Sequence, residues 1–159
     1  RVCRMRFLVQ RAARASVAVD GETVSSFEGP GLLVFCGVAP EDTPSQAEKL
    51  CSKLLKLRIF EDASGAMNRS VVDVGGSIIV VSQFTLYADL SHGNRPGFST
   101  AARPETAEPL YLECVKTLRA ALGAERVGTG RFGASMQVSL LNDGPCTFML
   151  ECENPGGGK

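Results

Sequence analysis

Residues 77–87 read Ser-Ile-Ile-Val-Val-Ser-Gln-Phe-Thr-Leu-Tyr, and they decide the fold class. The first half is crowded with β-branched side chains, which are stiff at χ1 and favour an extended chain. Gly75-Gly76 supplies the break that introduces it. A strand over 77–87 puts Ile78, Val80, Ser82, Phe84 and Leu86 on one face, and Ile79, Val81, Gln83, Thr85 and Tyr87 on the other. Each face is aliphatic first and polar last. The aliphatic half belongs in a core. The polar half carries a Gln amide that must find partners or stay unfavourable, so it marks either a ligand pocket at the strand end or a rim that meets water.

Working outward, Gly31–Val38 (GLLVFCGV) is a second continuous apolar run, as expected of a strand buried on both faces. Residues 5–12 (MRFLVQRA) and 15–20 (ASVAVD) read as strands, Asp20-Gly21 as a hairpin turn, and 23–27 (TVSSF) as the return strand. Glu28-Gly29-Pro30-Gly31 reads as a further turn. Thr43-Pro44-Ser45-Gln46 is a capping box with Pro at the first helical position. The helix it opens runs to about Leu57, with Ala47, Leu50, Cys51, Leu54 and Leu57 as its buried stripe. Arg58-Ile59-Phe60 reads as a short strand and 88–103 as an extended surface loop. A second helix is expected over 105–122, with Pro109 in its first turns or kinking it and Gly123 ending it. Two final strands, about 134–141 and 146–152, flank Asn142-Asp143-Gly144-Pro145. The expectation is one α/β domain over 5–152, with an extension at 1–4 and a disordered Gly-rich tail at 153–159.

Composition excludes several classes. Basic and acidic residues balance at 17 each, which argues against a protein that coats nucleic acid by charge alone. Local contacts stay open: Arg1, Arg4, Arg6, Arg11 and Arg14 cluster near the start, and Lys49, Lys53, Lys56 and Arg58 follow Glu48, either as solvated faces or as contacts to a polyanion. No apolar run approaches the roughly 18–20 residues of a membrane span. Six cysteines form no CxxC and no zinc spacing, and Cys36, Cys51 and Cys114 sit in apolar periodic segments, where a thiol packs as a small hydrophobe. With no secretory signal, a reducing compartment and so the cytoplasm is expected.

No metal or cofactor motif appears. The one histidine, His92, lies in a polar loop beside Gly93, and would serve as a base only if that loop folds over a site. Asn142-Asp143-Gly144-Pro145 reads either as an ordinary tight turn or as a functional one, since Pro after Gly removes a backbone donor and can accommodate a cis bond.

Taken together, MRFLVQR (Met5–Arg11), SQFTLYAD (Ser82–Asp89), FGASMQV (Phe132–Val138) and NDGPCT (Asn142–Thr147) resemble the D-aminoacyl-tRNA deacylase family in order and spacing. The resemblance covers Met5 to about Glu151 and implies an α/β fold of curled sheets, a barrel-like β/β/α sandwich with two main helices packed outside. It also implies a symmetric homodimer that hydrolyses D-aminoacyl-tRNA, with mischarged glycyl-tRNA also admitted, and that works without cofactor or metal. Reaction-centre residues implied are Ser82, Gln83, Phe84 and Thr85. The family's Gly-cis-Pro motif falls on Gly144-Pro145, which reaches into the partner's pocket beside Asn142; its bracing Arg falls on Arg11, and Met136 and Leu86 line the pocket. The usual last motif is close to N-S-G-P-V-T, so Asp143 and Cys146 are departures. Cys146 reads as a packing substitution, and Asp143 adds a charge near the site.

Ester hydrolysis passes through a tetrahedral oxyanion, best stabilised by main-chain N–H groups. Two schemes of attack fit. Thr85 can be the nucleophile, although nothing near it in sequence would deprotonate it; alternatively a ribose hydroxyl of the tRNA assists water, which the resemblance favours. The competing classes are a non-catalytic nucleic-acid-binding protein on the same fold and a generic esterase using Thr85.

Overall fold

The computed structural model describes residues 4–153. The expected extension and tail, apart from Arg4 and Glu153, lie outside the described residues. β1 (Arg4–Val19) and β2 (Glu22–Gly37) form one long antiparallel hairpin. It turns at Asp20-Gly21, both at positive φ, as an Asp-Gly hairpin turn requires.

Each of these strands is continuous where two segments were expected. The register slips twice, near the turn between Val17 and Ala18 and again where Ala12 faces Gly31 but Arg14 faces Glu28. The stretch Glu28–Gly31 is therefore a bulge inside a ladder, with Gly29 absorbing the irregularity at φ 90°. Turn residues signal a break in pairing. Here the ladder on either side holds the chain in place.

β5 (Ser77–Ser82) adds parallel to β2, and β6 (Val127–Thr129) parallel to β5. β7 (Gln137–Glu153) runs antiparallel to β1 at the other edge, giving the order β6-β5-β2-β1-β7. It too is one strand where two were expected. A small second sheet pairs β3 (Phe60–Glu61) with β4 (Met67–Arg69).

α1 (Pro44–Lys56) begins as its capping box specifies, with Gln46 Oε1 accepting the Thr43 N–H at 2.6 Å. α2 (Pro104–Leu122) ends at Gly123, φ 97°. Both helices pack on one face of the sheet, against Met5, Phe7 and Val9 of β1, Leu32 and Val34 of β2, and Ile78 and Val80 of β5. The Tyr111 hydroxyl donates to Val80 O at 2.7 Å and ties α2 to β5. The opposite face buries Ala15, Val17, Leu33, Ile79 and Val81, with Val138 and Leu140 of β7 beside Val17 and Ala15 in the ladder and Met136, just before β7, packed against them. A mixed five-stranded sheet with two helices packed on it is the α/β fold expected.

Asp42, in the β2–α1 connection, is 7% exposed and accepts the Ala39 N–H at 2.6 Å. Burial pushes its carboxyl up to about 6, against the lowering pull of the Ala39 and Met5 amides. Because the folded value lies above the unfolded one, the folded chain holds this proton where the unfolded chain has released it. The group's stabilisation is therefore full at low pH and is lost as pH rises through about 6. Calorimetry should show Asp42→Asn flattening the fall of Tm between about pH 4 and 6. An identical slope in both proteins would remove Asp42 as its source.

Candidate active site

β2 ends at Gly37 and β5 at Ser82, so their carboxyl ends open side by side, a common place for a ligand crevice in a parallel sheet. The last ladder pair is Cys36 with Ser82, followed by one more bond, Gln83 N–H to Cys36 O at 2.8 Å. Beyond it β2 offers no partner, and residues Phe84–Tyr87 wind into a 3-10 turn. The alternating faces read for 77–87 therefore hold only to Ser82. Leu86 N–H returns to Gln83 O at 3.3 Å and Ala88 N–H to Thr85 O at 3.1 Å. The N–H groups of Phe84 and Thr85, at the opening of the turn, have no acceptor among the described residues.

A cleft of about 530 Å³ lies beside this turn. Ser82, Gln83 and Phe84 form one side; Met136, Val138 and Phe132 form the other. Phe98 closes over Phe84 edge to face, centroids 5.0 Å apart, and Arg103 stands at the rim. The lining is mostly apolar.

Thr85 does not line the cleft. Its hydroxyl is met by the side-chain amide of Gln83. An amide, whichever end faces the hydroxyl, is no general base. His92 is also removed: it is 87% exposed and paired with Asp89 at 3.4 Å and with Ser91 at 2.9 Å. Leu86 turns away from the cleft to pack against Gly37.

Arg11, Asn142, Gly144 and Pro145 form a second group, and none of them lines this cleft. On β7, Asn142 pairs with Ala12 and Thr147 with Gln10, so Asp143–Cys146 bulge out opposite Arg11 alone. The Gly144-Pro145 bond is cis. Arg11 is 5% exposed, and its guanidinium lies under the bulge. Nε donates to Asp143 O at 3.1 Å, and Nη1 to Ile59 O at 2.5 Å. The Asp143 carboxylate stands 3.2 Å from Nε, so this departure from the usual motif adds a counter-charge to the brace. Asn142 Nδ2 closes the neck, donating to Arg11 O at 3.0 Å and Cys146 O at 3.3 Å. Cys146 is buried in the helix-side core, consistent with a packing substitution. Gly144 and Pro145 are exposed on their own chain.

The site residues not read from sequence are Phe98, Phe132, Val138 and Arg103. Phe98, Phe132 and Arg103 come from a loop, a turn and a helix cap, where no periodicity marks a lining side chain, and Val138 from the start of β7. Phe132 and Val138 had a signal, since they open and close the quoted FGASMQV segment.

An apolar cleft at the ends of two parallel strands, next to a turn that opens with two amides lacking an acceptor among the described residues, suits a hydrolase on an α/β fold. The comparisons agree. The model of the family described as D-Tyr-tRNA(Tyr) deacylase matches residues 8–151. A D-aminoacyl-tRNA deacylase of Marinobacter nauticus is 55% identical over 152 residues, covering 96% of this chain and 97% of its own length. One from Chloroherpeton thalassium is 57% identical over 147 residues, covering 92% and 95%. Among solved structures, one titled c-Myc DNA Unwinding Element Binding Protein superposes with TM-score 0.86 at 43% identity, over 92% of this chain and 98% of its own. A probable eukaryotic D-amino acid tRNA deacylase shares the fold, TM-score 0.81 at 18% identity, over 94% and 100%. The chain belongs to the D-Tyr-tRNA(Tyr) deacylase family.

The bulge geometry carries its own test. Arg11→Met should raise amide exchange at Gly144, Cys146 and Thr147 by about tenfold or more while the β1–β2 ladder stays protected. Unchanged exchange would mean that strand pairing holds the bulge without Arg11.

Proposed function

We propose that the chain hydrolyses the ester between a D-amino acid and the terminal adenosine of tRNA, releasing free D-amino acid and tRNA, as a homodimer in the cytoplasm. The observation that carries the chemistry is the pair of unpartnered amides at Phe84 and Thr85 beside a cleft that holds no side-chain base. Water adds to the ester carbonyl carbon, and the carbonyl oxygen becomes an oxyanion held by these N–H groups. One such donor lowers the barrier by about 3 kcal/mol. The ribose hydroxyl next to the ester takes the proton of the attacking water and returns one to the ribose oxygen as the carbon–oxygen bond breaks. Ser82, Gln83 and Phe84 place the ester, and Met136 faces them across the cleft.

Selectivity follows from rigid main-chain atoms. Gly144 and Pro145 stand exposed away from their own chain's cleft, which fits them to a partner's. β7, which carries them, is a 17-residue edge strand with Leu141, Phe148 and Met149 exposed. An open edge of that length invites pairing, and a two-fold axis would give each cleft the other chain's bulge. Backbone carbonyls there accept hydrogen bonds from the substrate ammonium, leaving one direction for a D side chain. An L side chain meets the wall, and glycine, which has none, is admitted. Four buried thiols, at Cys36, Cys51, Cys114 and Cys146, are free and suit a reducing compartment. No helix among the described residues is long and apolar enough to cross a membrane.

A DNA-binding title on one solved relative raises a second reading, a non-catalytic nucleic-acid-binding role. The balanced charge of 17 against 17 gives it little electrostatic support. One assay separates the readings. Purified protein, sedimenting at twice the chain mass, should clear D-tyrosyl-tRNA at least about a hundredfold faster than L-tyrosyl-tRNA, and Thr85→Ala should stay within about tenfold of it. No clearance would favour binding without catalysis, and a thousandfold or greater loss in Thr85→Ala would make that hydroxyl the nucleophile.

A further inference from the structure

The 3-10 turn that presents the free amides has a second end, whose carbonyls also need partners. Tyr87 O accepts the Thr100 hydroxyl at 2.6 Å. Leu86 O accepts from Arg6, Nη1 at 2.9 Å. Arg6 lies on β1, and its ladder partner on β2 is Gly37. Because Gly37 has no side chain, the turn can close onto that strand: a Cβ there would stand 3.0 Å from the Tyr87 ring and 3.2 Å from Leu86. The Arg6 guanidinium lies over the Tyr87 ring, 4.6 Å from its centroid. From the other side, Glu151 of β7 stands 3.1 Å from Arg6 Nε, and the same carboxylate accepts Arg4 Nη1 at 2.9 Å. Arg6 is thus fixed by a carboxylate, stacked on one residue of the turn and bonded to the carbonyl of the residue before it.

We infer that Arg6 is a positioning residue for the reaction, holding the turn Phe84–Tyr87 from behind so that the Phe84 and Thr85 amides stay aimed at the ester oxygen. The inference rests on the deacylase reading above. Its physical content is that a cation at the carbonyl end of the turn satisfies the acceptors that would otherwise draw water and let the turn unwind. The turn has only two ends, and the working one must stay unbonded in the free protein. Its order therefore has to be supplied at the other. A misplacement of about 1 Å at a reacting centre can lower the rate about a hundredfold, so a loosened turn affects the chemical step more than substrate binding. Arg6 does not line the cleft.

The test uses the full chain and D-tyrosyl-tRNA. Arg6→Gln should lower single-turnover kcat by about tenfold or more with KM within about twofold, at nearly unchanged Tm. Arg6→Lys, which keeps the cation without the fork, should recover part of that loss. Amide exchange at Leu86–Ala88 should rise in Arg6→Gln while the β1–β7 ladder stays protected. Native kcat in Arg6→Gln would overturn the inference, and so would a loss seen as raised KM with exchange rising across the whole sheet. Should Arg6→Gln fail to fold, Arg6→Met carries the test, and an unchanged kcat there overturns it. If the unmodified protein fails to clear D-tyrosyl-tRNA, the deacylase reading falls instead, and the exchange experiment still reports whether Arg6 holds the turn.

Discussion

The bond from Gln83 N–H to Cys36 O is the last rung between two parallel strands, and the site exists because the ladder stops there. β2 ends at Gly37 and leaves β5 without a neighbour. A chain leaving a buried ladder must satisfy its backbone groups in some other way. The 3-10 turn does this at one end only. The two amides left over lie beside an apolar cleft, and an unpaired donor in such a place is worth more to a developing oxyanion than it would be in water.

The second constraint lies on the opposite edge of the sheet. Four residues of β7 stand opposite Arg11, so strand pairing cannot hold them, and the buried guanidinium bonds the bulge from beneath. A charge 5% exposed would be unfavourable without partners; here it has two carbonyls and a carboxylate. β1 supplies both arginines, Arg6 at the Phe84–Tyr87 turn and Arg11 under the bulge, and β7 supplies the acids that face them, Glu151 and Asp143. One antiparallel strand pair therefore carries the supports for both the turn and the bulge.

Local signals in the sequence located the helices well. The Thr43–Gln46 box and Gly123 act through bonds within a few residues of themselves, and both helices lie where those residues place them. The strands were harder. Glu28–Gly31 and Asn142–Pro145 have the chemistry of turns, but long-range pairing carries the chain through each as a bulge. The end of β5 was misplaced for the reverse reason: Gln83–Tyr87 keeps strand-like composition after its partner strand has run out. Ser82, Gln83, Phe84 and Met136 were legible as site residues and line the cleft, whereas Thr85 and Leu86 were read there and do not. Phe98 and Arg103 were invisible, because a lining residue from a loop leaves no pattern in the chain that bears it.

The central claim is that main-chain amides hold the oxyanion while the substrate's own ribose moves the proton. Among the described residues, Gln83 offers Thr85 only an amide, and His92 is exposed and paired elsewhere. The most direct measurement is single-turnover hydrolysis of a 3′-linked D-tyrosyl-tRNA ending in 2′-deoxyadenosine, compared with the ribose form at equal binding. Turnover should fall by about a thousandfold or more while binding is retained. Equal rates on the two substrates would contradict the account and require a base from the protein.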